Sequence, residues 1–236
     1  MKHALVLLPG LLCDRALWAP QIEALSDIAE CWIPEPFDED TMSKMAQHVL
    51  RDAPFERFAL AGLSMGGYAC MEVMRQSPQR VTALALLGTR APPDSPEDTQ
   101  RRHDFMRLAQ RAGGFKQVTS RLLPQLIHSS RMSDEALIRV VRDMAEHTGV
   151  DGYLRQQHAI ISRADSRADM PNWNKPALVL CGRQDALTTL AMHEGMASLL
   201  PDADLVVIDE CGHMSTLERP DDVAAAMRRW LERRGV

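Results

Sequence analysis

The sequence lacks the features that would place this protein in a membrane or on a secretory route. It contains no apolar run of about 18 residues, roughly the minimum for a helix that crosses a bilayer, so we expect no membrane partner. The apolar run at residues 4–8 is cut short by Pro9-Gly10, and no small-residue cleavage site follows it. We therefore expect no signal peptide and, as the default, a cytoplasmic protein.

Concentrated positive charge is also missing. The formal net charge of the 236 residues is −5, and no long basic run occurs. We interpret the arginine pairs Arg101-Arg102, Arg228-Arg229 and Arg233-Arg234 as solvated faces of helices. Because binding to phosphates requires a concentrated positive surface, we expect no nucleic-acid partner.

Cysteine pairs with the spacing of a metal site or a redox motif are absent. The five cysteines are odd in number and widely spaced, with no CxxC pair. We expect free, buried or half-buried thiols in a reducing compartment, not disulfides or zinc ligands. No GxGxxG loop occurs, so we predict no nucleotide cofactor and no metal. The apolar fraction of 45% and the charged fraction of 25% are typical of one globular domain.

Short apolar runs alternate with helical patterns along most of the chain. Runs typical of strands buried on both faces lie at residues 4–8, 58–61, 82–87, 177–181 and 204–208, with a weaker candidate at Trp32-Ile33. Helical patterns cover residues 41–51, 65–76, 189–200 and 221–233. This alternation predicts an α/β fold, a doubly wound and mostly parallel sheet of about six strands covered by helices on both faces.

One long segment breaks the alternation. Residues 89–175 contain no convincing strand but four amphipathic helical blocks, at residues 95–111, 115–123, 133–147 and 153–163. We interpret residues 89–175 as a helical lid inserted into an α/β core made of residues 1–88 and 176–236. A helical layer on the flank of the sheet is the alternative interpretation.

The pentapeptide Gly62-Leu63-Ser64-Met65-Gly66 lies between a predicted strand and a predicted helix. A strand that turns into a helix within one residue forces the residue at the turn into a strained backbone conformation. Glycines two positions before and after that residue remove side chains that would collide there. The pentapeptide alone can occur by chance, but its position between strand and helix makes Ser64 the candidate nucleophile.

A serine nucleophile needs a general base, and eight histidines compete for that role. His213 is our candidate because Gly212-His213-Met214 follows the last predicted strand, at the edge of the sheet where functional sites collect. The other seven are interpreted as surface or packing residues, or at most as substrate contacts in the lid: His3, His48, His103, His128, His147, His158 and His193.

The histidine in turn needs an acid that orients its ring. Asp185 directly follows the strand predicted at residues 177–181, and a turn or helix-cap aspartate is the alternative reading. Asp209 and Glu210 are rival acids, but they lie too near His213 in sequence to face it easily. The chain order of Ser64, Asp185 and His213 is the order of the α/β-hydrolases.

Acyl transfer also needs hydrogen-bond donors for the negatively charged oxygen of its tetrahedral intermediate. The backbone N–H of Met65, next to the nucleophile, is one candidate. The N–H of Leu11 is the other, because Pro9-Gly10-Leu11 predicts a sharp turn after the first strand.

With these residues in place, the chain resembles the α/β-hydrolase superfamily, particularly small lidded esterase-like members such as carboxylesterases and enol-lactonases. The matching motifs are Gly10 with Trp18, the segment 62–67, Pro78-Gln79-Arg80-Val81, the segment 176–185, and Gly212-His213 with Glu218 and Pro220. Two positions depart from the family pattern. Pro9 stands where most members carry histidine, and Thr188-Thr189 stands where a proline is common. We expect neither departure to touch the triad.

These features predict a serine hydrolase that cleaves a carboxylic ester, thioester or lactone through an acyl-enzyme. A small molecule with an apolar or uncharged acyl group would suit the predicted apolar lining, although the same residues are equally compatible with a core: Leu63, Met65, Phe105, Met106, Leu123, Leu126, Leu187 and Met214. The resemblance leaves open acyl transfer, carbon–carbon bond hydrolysis and perhydrolysis by the same triad. A ligand receptor with slow turnover is a further alternative, and the sequence predicts no oligomeric state.

Overall fold

The computed structural model describes residues 2–35 and 37–233. Six strands form one sheet in the order β2-β1-β3-β4-β5-β6, and each pair of neighbours is parallel. The predicted doubly wound α/β fold is confirmed. The strands are β1 (His3–Leu8), β2 (Ala29–Trp32), β3 (Phe58–Leu63), β4 (Val81–Leu87), β5 (Ala177–Gly182) and β6 (Ala203–Ile208).

The helices connect the strands and fill the long interval between β4 and β5. The helices of the described chain are α1 (Ala19–Ala24), α2 (Met42–Asp52), α3 (Met65–Gln76), α4 (Pro96–Ala109), α5 (Gly114–Leu126), α6 (Glu135–Ile161), α7 (Leu190–Leu199), α8 (Ser215–Glu218) and α9 (Pro220–Leu231). Short 3₁₀ turns lie at Arg15–Trp18, Pro78–Arg80, Ser129–Arg131 and Met170–Asn172. The short α1 and α8 were not predicted, because segments of this length carry too few turns for a periodic pattern.

The sheet is buried on both faces because its strands alternate between two apolar clusters. Leu5 and Leu7 of β1 pack in the cluster that contains Trp230 of α9. Val6 and Leu8 point the other way, into the cluster that contains the apolar faces of α2 and α3. Side chains of successive strand residues point to opposite faces, so a strand covered on both sides needs apolar residues throughout.

The two edge strands depart most from prediction. β2 occupies Ala29–Trp32 and pairs with β1, whereas Trp32-Ile33 was predicted. β6 was predicted as buried on both faces, but it is partly exposed, and Leu205 is 36% exposed. An edge strand has only one neighbouring strand and is covered less completely by helices. Burial predicted from an apolar run is therefore too high for such a strand.

Three helices, α4 to α6, are inserted between β4 and β5. The blocks predicted at residues 133–147 and 153–163 are the two halves of α6, which breaks at Gly149 with φ 65° and ψ −179°. That conformation is almost restricted to glycine, so the break falls at a residue type that tolerates it. The insertion has its own apolar cluster, which includes Val118 and Tyr153 and also Leu12 from the loop after β1. The division of the chain into core and lid at residues 89 and 175 stays a prediction.

The carboxyl ends of four strands bring the candidate residues to one edge of the sheet. Leu11 follows β1, Ser64 follows β3, Asp185 follows β5 and His213 follows β6. The strand order reverses between β1 and β3, and such reversal points in parallel sheets leave a crevice outside the strand ends.

All five cysteines are free thiols; four are buried and Cys31 is half-buried. Their predicted unpaired state is confirmed. None of the helices at residues 2–35 and 37–233 has the length and apolar character to cross a bilayer.

Candidate active site

Ser64 occupies the turn between β3 and α3. Its backbone has φ 55° and ψ −115°, which residues with a side chain rarely adopt. Its N–H donates to the Leu87 carbonyl at 2.9 Å, and its carbonyl accepts a hydrogen bond from Thr89 Oγ1 at 2.9 Å. The predicted strained turn is confirmed, and Ser64 lines a cavity of about 310 Å³.

The flanking glycines allow β1, β3 and α3 to approach closely at this turn. A Cβ atom on Gly62 would lie 2.3 Å from the Gly66 carbonyl oxygen, and one on Gly66 would lie 2.1 Å from the Leu8 carbonyl oxygen. Both distances are far below van der Waals contact. A side chain at either position would push the helix that carries Ser64 away from the sheet, which is the role predicted for these glycines.

His213 lies in the loop after β6 and is buried. Its backbone N–H donates to the Leu126 carbonyl at 3.1 Å, at the end of α5. The buried Glu218 carboxylate accepts from the Gly212 N–H at 3.1 Å and from the His128 N–H at 2.7 Å. Burial raises the pKa of this carboxyl, against the opposing backbone hydrogen bonds. The loop that carries His213 is therefore fixed to the end of α5 by backbone contacts.

Asp185 accepts four hydrogen bonds. Oδ1 accepts from the N–H groups of Leu187 (2.8 Å) and Thr188 (2.9 Å), while Oδ2 accepts from Thr188 Oγ1 (2.7 Å) and lies 2.8 Å from Nδ1 of His213. Burial opposes ionisation of this carboxyl, but the nearby His213 and the hydrogen bonds from His213 and Thr188 keep its pKa below the usual value. Asp185 is thus a buried carboxylate held against one nitrogen of the His213 ring.

Thr188 contradicts the expectation that the family departures leave the triad untouched. Its hydroxyl donates to Asp185, and its oxygen is also 3.4 Å from Nδ1 of His213. No sequence signal marked this contact, because it depends on how the loop after β5 folds back on Asp185. The rival acids are directed elsewhere: the side chains of Asp209 and Glu210 are 72% and 74% exposed and pair with Arg183 and Arg219.

Ser64 and His213 line the same cavity, so the structure brings the candidate nucleophile and base to one space. Among the described residues, the Ser64 hydroxyl and the His213 ring form no hydrogen bond with each other, unlike the ring and Asp185. In enzymes without bound substrate, catalytic hydrogen bonds are often long and tighten only in the substrate complex. The geometry supplies a cavity that both side chains line and a ring that is fixed by its contact with Asp185.

The loop after β1 makes the predicted sharp turn, with the Cys13 N–H donating to the Gly10 carbonyl at 3.2 Å. Leu12 has φ 61°, and its N–H donates to Oε1 of Gln156 in α6 at 2.9 Å. Leu11 lines the cavity beside Ser64. Neither the Leu11 N–H nor the Met65 N–H donates to another described residue. Their predicted role as donors to a substrate oxygen stays a prediction.

His193 is more closely tied to the site than its helical sequence pattern indicated. It is fully buried; its Nδ1 lies 3.0 Å from the Thr189 carbonyl, and its Nε2 accepts from the Thr89 N–H at 3.1 Å. Burial lowers the pKa of His193, which favours the neutral ring that accepts this bond. Because Thr89 also donates to the Ser64 carbonyl, His193 supports the turn at Ser64 through Thr89.

The cavity lining differs from the apolar set predicted from the sequence. Leu187 and Phe105 do line it, but Leu63 and Met214 lie in the sheet core, and Met106 lies in the core of the insertion. Met65, Leu123 and Leu126 likewise pack in the sheet clusters. The lining instead contains Arg90, Arg101, Arg102 and Asp98. Arg102 was interpreted as part of a solvated helix face, but here it belongs to the cavity wall.

Asp94 pairs with two of these arginines, Arg90 and Arg102. Its side chain is 2% exposed and accepts hydrogen bonds from Arg90, Arg102 and Arg163. Burial alone would raise the pKa of Asp94, but hydrogen bonds from Arg163 and Arg102 and their charges hold it well below its usual value. The Arg163 guanidinium also lies 4.3 Å from the centre of the Tyr68 ring.

Replacing Asp94 with asparagine is expected to lower the free energy of unfolding by about 3–5 kcal/mol at pH 7, because arginines then lose a buried partner. A depressed carboxyl pKa stabilises the fold above the pKa of the unfolded chain, about 3.9, and this contribution is lost as the pH falls further. Urea unfolding of both proteins should therefore show a difference that shrinks below about pH 4. Asp104→Asn, exposed in α4, is the control; a constant difference from pH 7 to pH 3 would contradict the assignment.

The described residues contain no group of three or more His, Cys, Asp or Glu side chains arranged to hold a metal ion. The prediction of a reaction without metal or cofactor stays a prediction, and the mechanism proposed below uses side chains and backbone groups only.

Comparison with known proteins gives one family. A family model described as the alpha/beta hydrolase fold matches residues 3–220. The dihydrolipoyllysine-residue acetyltransferase component of an acetoin cleaving system from Pseudomonas putida is 30% identical over 95% of this chain, and the chain spans 58% of that protein.

Solved structures also resemble this chain along nearly its whole length. A thermophilic esterase from Thermogutta terrifontis has a TM-score of 0.90 and 28% identity, covering 100% of this chain and 92% of the esterase. The enol-lactonase from Burkholderia xenovorans LB400 has a TM-score of 0.87 and 26% identity, covering 99% of this chain and 92% of the lactonase. The predicted resemblance to esterases and enol-lactonases is confirmed. The chain belongs to the alpha/beta hydrolase fold family.

Proposed function

We propose that the protein is a serine hydrolase that cleaves a carboxylic ester, thioester or lactone of a small molecule through an acyl-enzyme on Ser64. One observation carries the proposal. The ring of His213 is held 2.8 Å from the buried Asp185 carboxylate, in the cavity to which a strained turn presents Ser64. The esterase and the lactonase among the structural neighbours support the same reaction class.

In the first half of the reaction, Ser64 Oγ attacks the carbonyl carbon while its proton passes to Nε2 of His213. Asp185 stabilises the resulting imidazolium through its hydrogen bond with Nδ1. The carbonyl oxygen becomes negatively charged, and the N–H groups of Leu11 and Met65 are available to bind it. Donors fixed in a backbone need no reorganisation when this charge develops, which is why they lower the barrier.

In the second half, the tetrahedral intermediate collapses and the bond to the leaving oxygen or sulfur breaks. His213 gives its proton to that leaving group, which departs as an alcohol or thiol and leaves the acyl group on Ser64. Water then attacks the acyl-enzyme while His213 takes a proton from it. When the second tetrahedral intermediate collapses, His213 returns this proton to Ser64 Oγ, and a carboxylic acid is released. With a lactone the leaving alcohol stays attached to the acyl group, so the product is a single hydroxy acid.

Labelling with a fluorophosphonate probe, followed by peptide mass spectrometry, tests the nucleophile. We expect one adduct, on Ser64.

A panel of esters, thioesters and lactones should then be hydrolysed, and hydroxylamine added to the assay should divert part of the acyl group. Substrates that share an acyl group but differ in leaving group must partition between water and hydroxylamine in one constant ratio, because they share one acyl-enzyme.

A partition ratio that changed with the leaving group would contradict the acyl-enzyme. Acyl transfer to added alcohols in preference to water would redirect the proposal toward an acyltransferase. Saturable ligand binding with negligible turnover across the panel, and no adduct on Ser64, would favour a receptor.

A further inference from the structure

One wall of the cavity that contains Ser64 is basic. Arg90, Arg101 and Arg102 line it together with one aspartate, Asp98, so the charged lining has a surplus of two positive charges. Hydrolysis of an uncharged ester needs no such wall, since the reaction uses a serine, an imidazole, a carboxylate and two N–H groups. The arginines are therefore not explained by the chemistry proposed above.

Arg90 retains hydrogen-bonding capacity toward this cavity. Its Nη2 donates to Asp94 and to Asp98, the latter at 3.1 Å. Its Nε and Nη1 donate to no residue in the described part of the chain, and its side chain is only 13% exposed. A guanidinium has five N–H donors in a rigid plane, so Nε and Nη1 of Arg90 can donate hydrogen bonds to a ligand in the cavity that this residue lines.

The basic wall is held in place before any ligand arrives. Arg102 donates through Nε to Asp94 and through Nη1 to Gln157 at 2.8 Å. Asp94 is also paired with the buried Arg163, whose Nη2 donates to it at 2.7 Å. The negative charge of Asp94 is thus shared among several guanidinium groups and does not cancel the basic lining. A preorganised positive site in a partly shielded cavity attracts an anion more strongly than the same charges in water.

The remainder of the lining limits which anion fits. Apolar side chains of Phe105, Leu122, Ile160 and Leu187 share the cavity with the arginines. We propose that the substrate of Ser64 carries a carboxylate on its acyl part, bound by Arg90 with Arg102 beside it, while a short methylene chain contacts the apolar residues. This inference rests on the proposed hydrolase function and specifies its substrate class. Guanidinium and carboxylate are both planar and pair through two parallel hydrogen bonds, which suits this arrangement.

Matched pairs of esters test the proposal. Monomethyl esters of dicarboxylic acids from succinate to suberate are compared with methyl esters in which a methyl group replaces the carboxylate, such as monomethyl adipate against methyl hexanoate. The wild type should show a higher kcat/KM for the anionic member at one or two chain lengths. In Arg90→Gln, the ratio of the two kcat/KM values should fall by about 10- to 100-fold, the range expected for hydrogen bonds to a charged group.

Arg107→Gln is the matched control. It removes one positive charge from the same helix as Arg102, but Arg107 is exposed, pairs with Asp104 and does not line the cavity. The ratio should therefore be unchanged. Arg90→Gln leaves Asp94 paired with Arg102 and Arg163, and circular dichroism with thermal melting would verify its fold.

A second measurement separates this inference from the proposed function. Ser64→Ala cannot form an acyl-enzyme, but calorimetric titration should still detect saturable binding of the dicarboxylate of the preferred chain length. Arg90→Gln in that background should weaken the binding by about 10- to 100-fold. Absence of binding overturns the carboxylate site whatever the catalytic results, and inorganic phosphate binding as tightly as the dicarboxylate overturns its specificity. If the dicarboxylate bound, but the wild type showed neither ester turnover nor labelling of Ser64, only the hydrolase proposal would be contradicted.

Equal or higher kcat/KM for the neutral esters at every chain length would also overturn the inference. So would the same change of the ratio in Arg107→Gln as in Arg90→Gln, because the effect would then be one of overall charge.

Discussion

Replacing Ser64 with alanine is expected to lower kcat for ester hydrolysis by about 10⁴- to 10⁶-fold, because no other group in the proposed mechanism forms the acyl bond. The thermal unfolding midpoint should change little. Alanine keeps the Cβ atom, and the hydrogen bonds that hold the turn are made by backbone groups of Ser64. Steady-state kinetics with esters that the wild type hydrolyses, together with thermal melting, measure both effects.

Two further variants sharpen this test. His213→Ala should cause a loss in the same range, because the serine then has no base, and the double variant should be little worse than either single one. Ser198→Ala, in an exposed hydroxyl of α7, is the control and should retain wild-type kinetics. Ester turnover that survived in Ser64→Ala at more than a few per cent of the wild-type rate would remove Ser64 from the mechanism.

Replacing Asp185 with asparagine is expected to lower kcat by about 10³- to 10⁴-fold. An amide cannot stabilise the imidazolium as a carboxylate does, and it favours the wrong tautomer of His213 when its NH₂ group faces Nδ1. Rescue by a neighbouring acid is not expected, since Asp209 and Glu210 are exposed and paired elsewhere. Kinetics and a melting curve for the variant distinguish loss of catalysis from loss of fold.

Two neighbours provide comparisons for Asp185→Asn. Thr188→Val removes one hydrogen bond to the carboxylate and should cost about tenfold in kcat, well short of the loss in Asp185→Asn. Asp209→Asn should leave kcat unchanged. If Asp209→Asn or Glu210→Gln abolished turnover and Asp185→Asn did not, Asp185 would not be the orienting acid.

Much of the site could be predicted because its parts are local. The turn at Ser64 needs small residues at fixed positions, so Gly62 and Gly66 mark it in the sequence. Asp185 and His213 lie in the loops that follow β5 and β6, and parallel strands place their carboxyl ends along one edge. For the central strands, burial on both faces requires continuous apolar runs, and these runs made the strand positions predictable from the sequence.

Other features depend on contacts between residues far apart in the chain, and these could not be predicted. The Leu12 N–H reaches Gln156 across 144 residues, and no local pattern links them. Arg102 lies in a helix of mostly polar residues, and only the folded structure shows that it lines the cavity and pairs with Asp94. The lining of a cavity depends on which faces of the inserted helices turn toward the sheet, and periodicity alone does not determine that direction.

The junction between α5 and the loop of His213 has a mechanical consequence. The N–H groups of His213 and Met214 both donate to the Leu126 carbonyl, and Glu218 joins the N–H groups of Gly212 and His128. Swinging this end of α5 away from the sheet would break these bonds and release the imidazole from its setting. We therefore expect a movement of α5 away from the sheet to displace the loop that carries His213 as well.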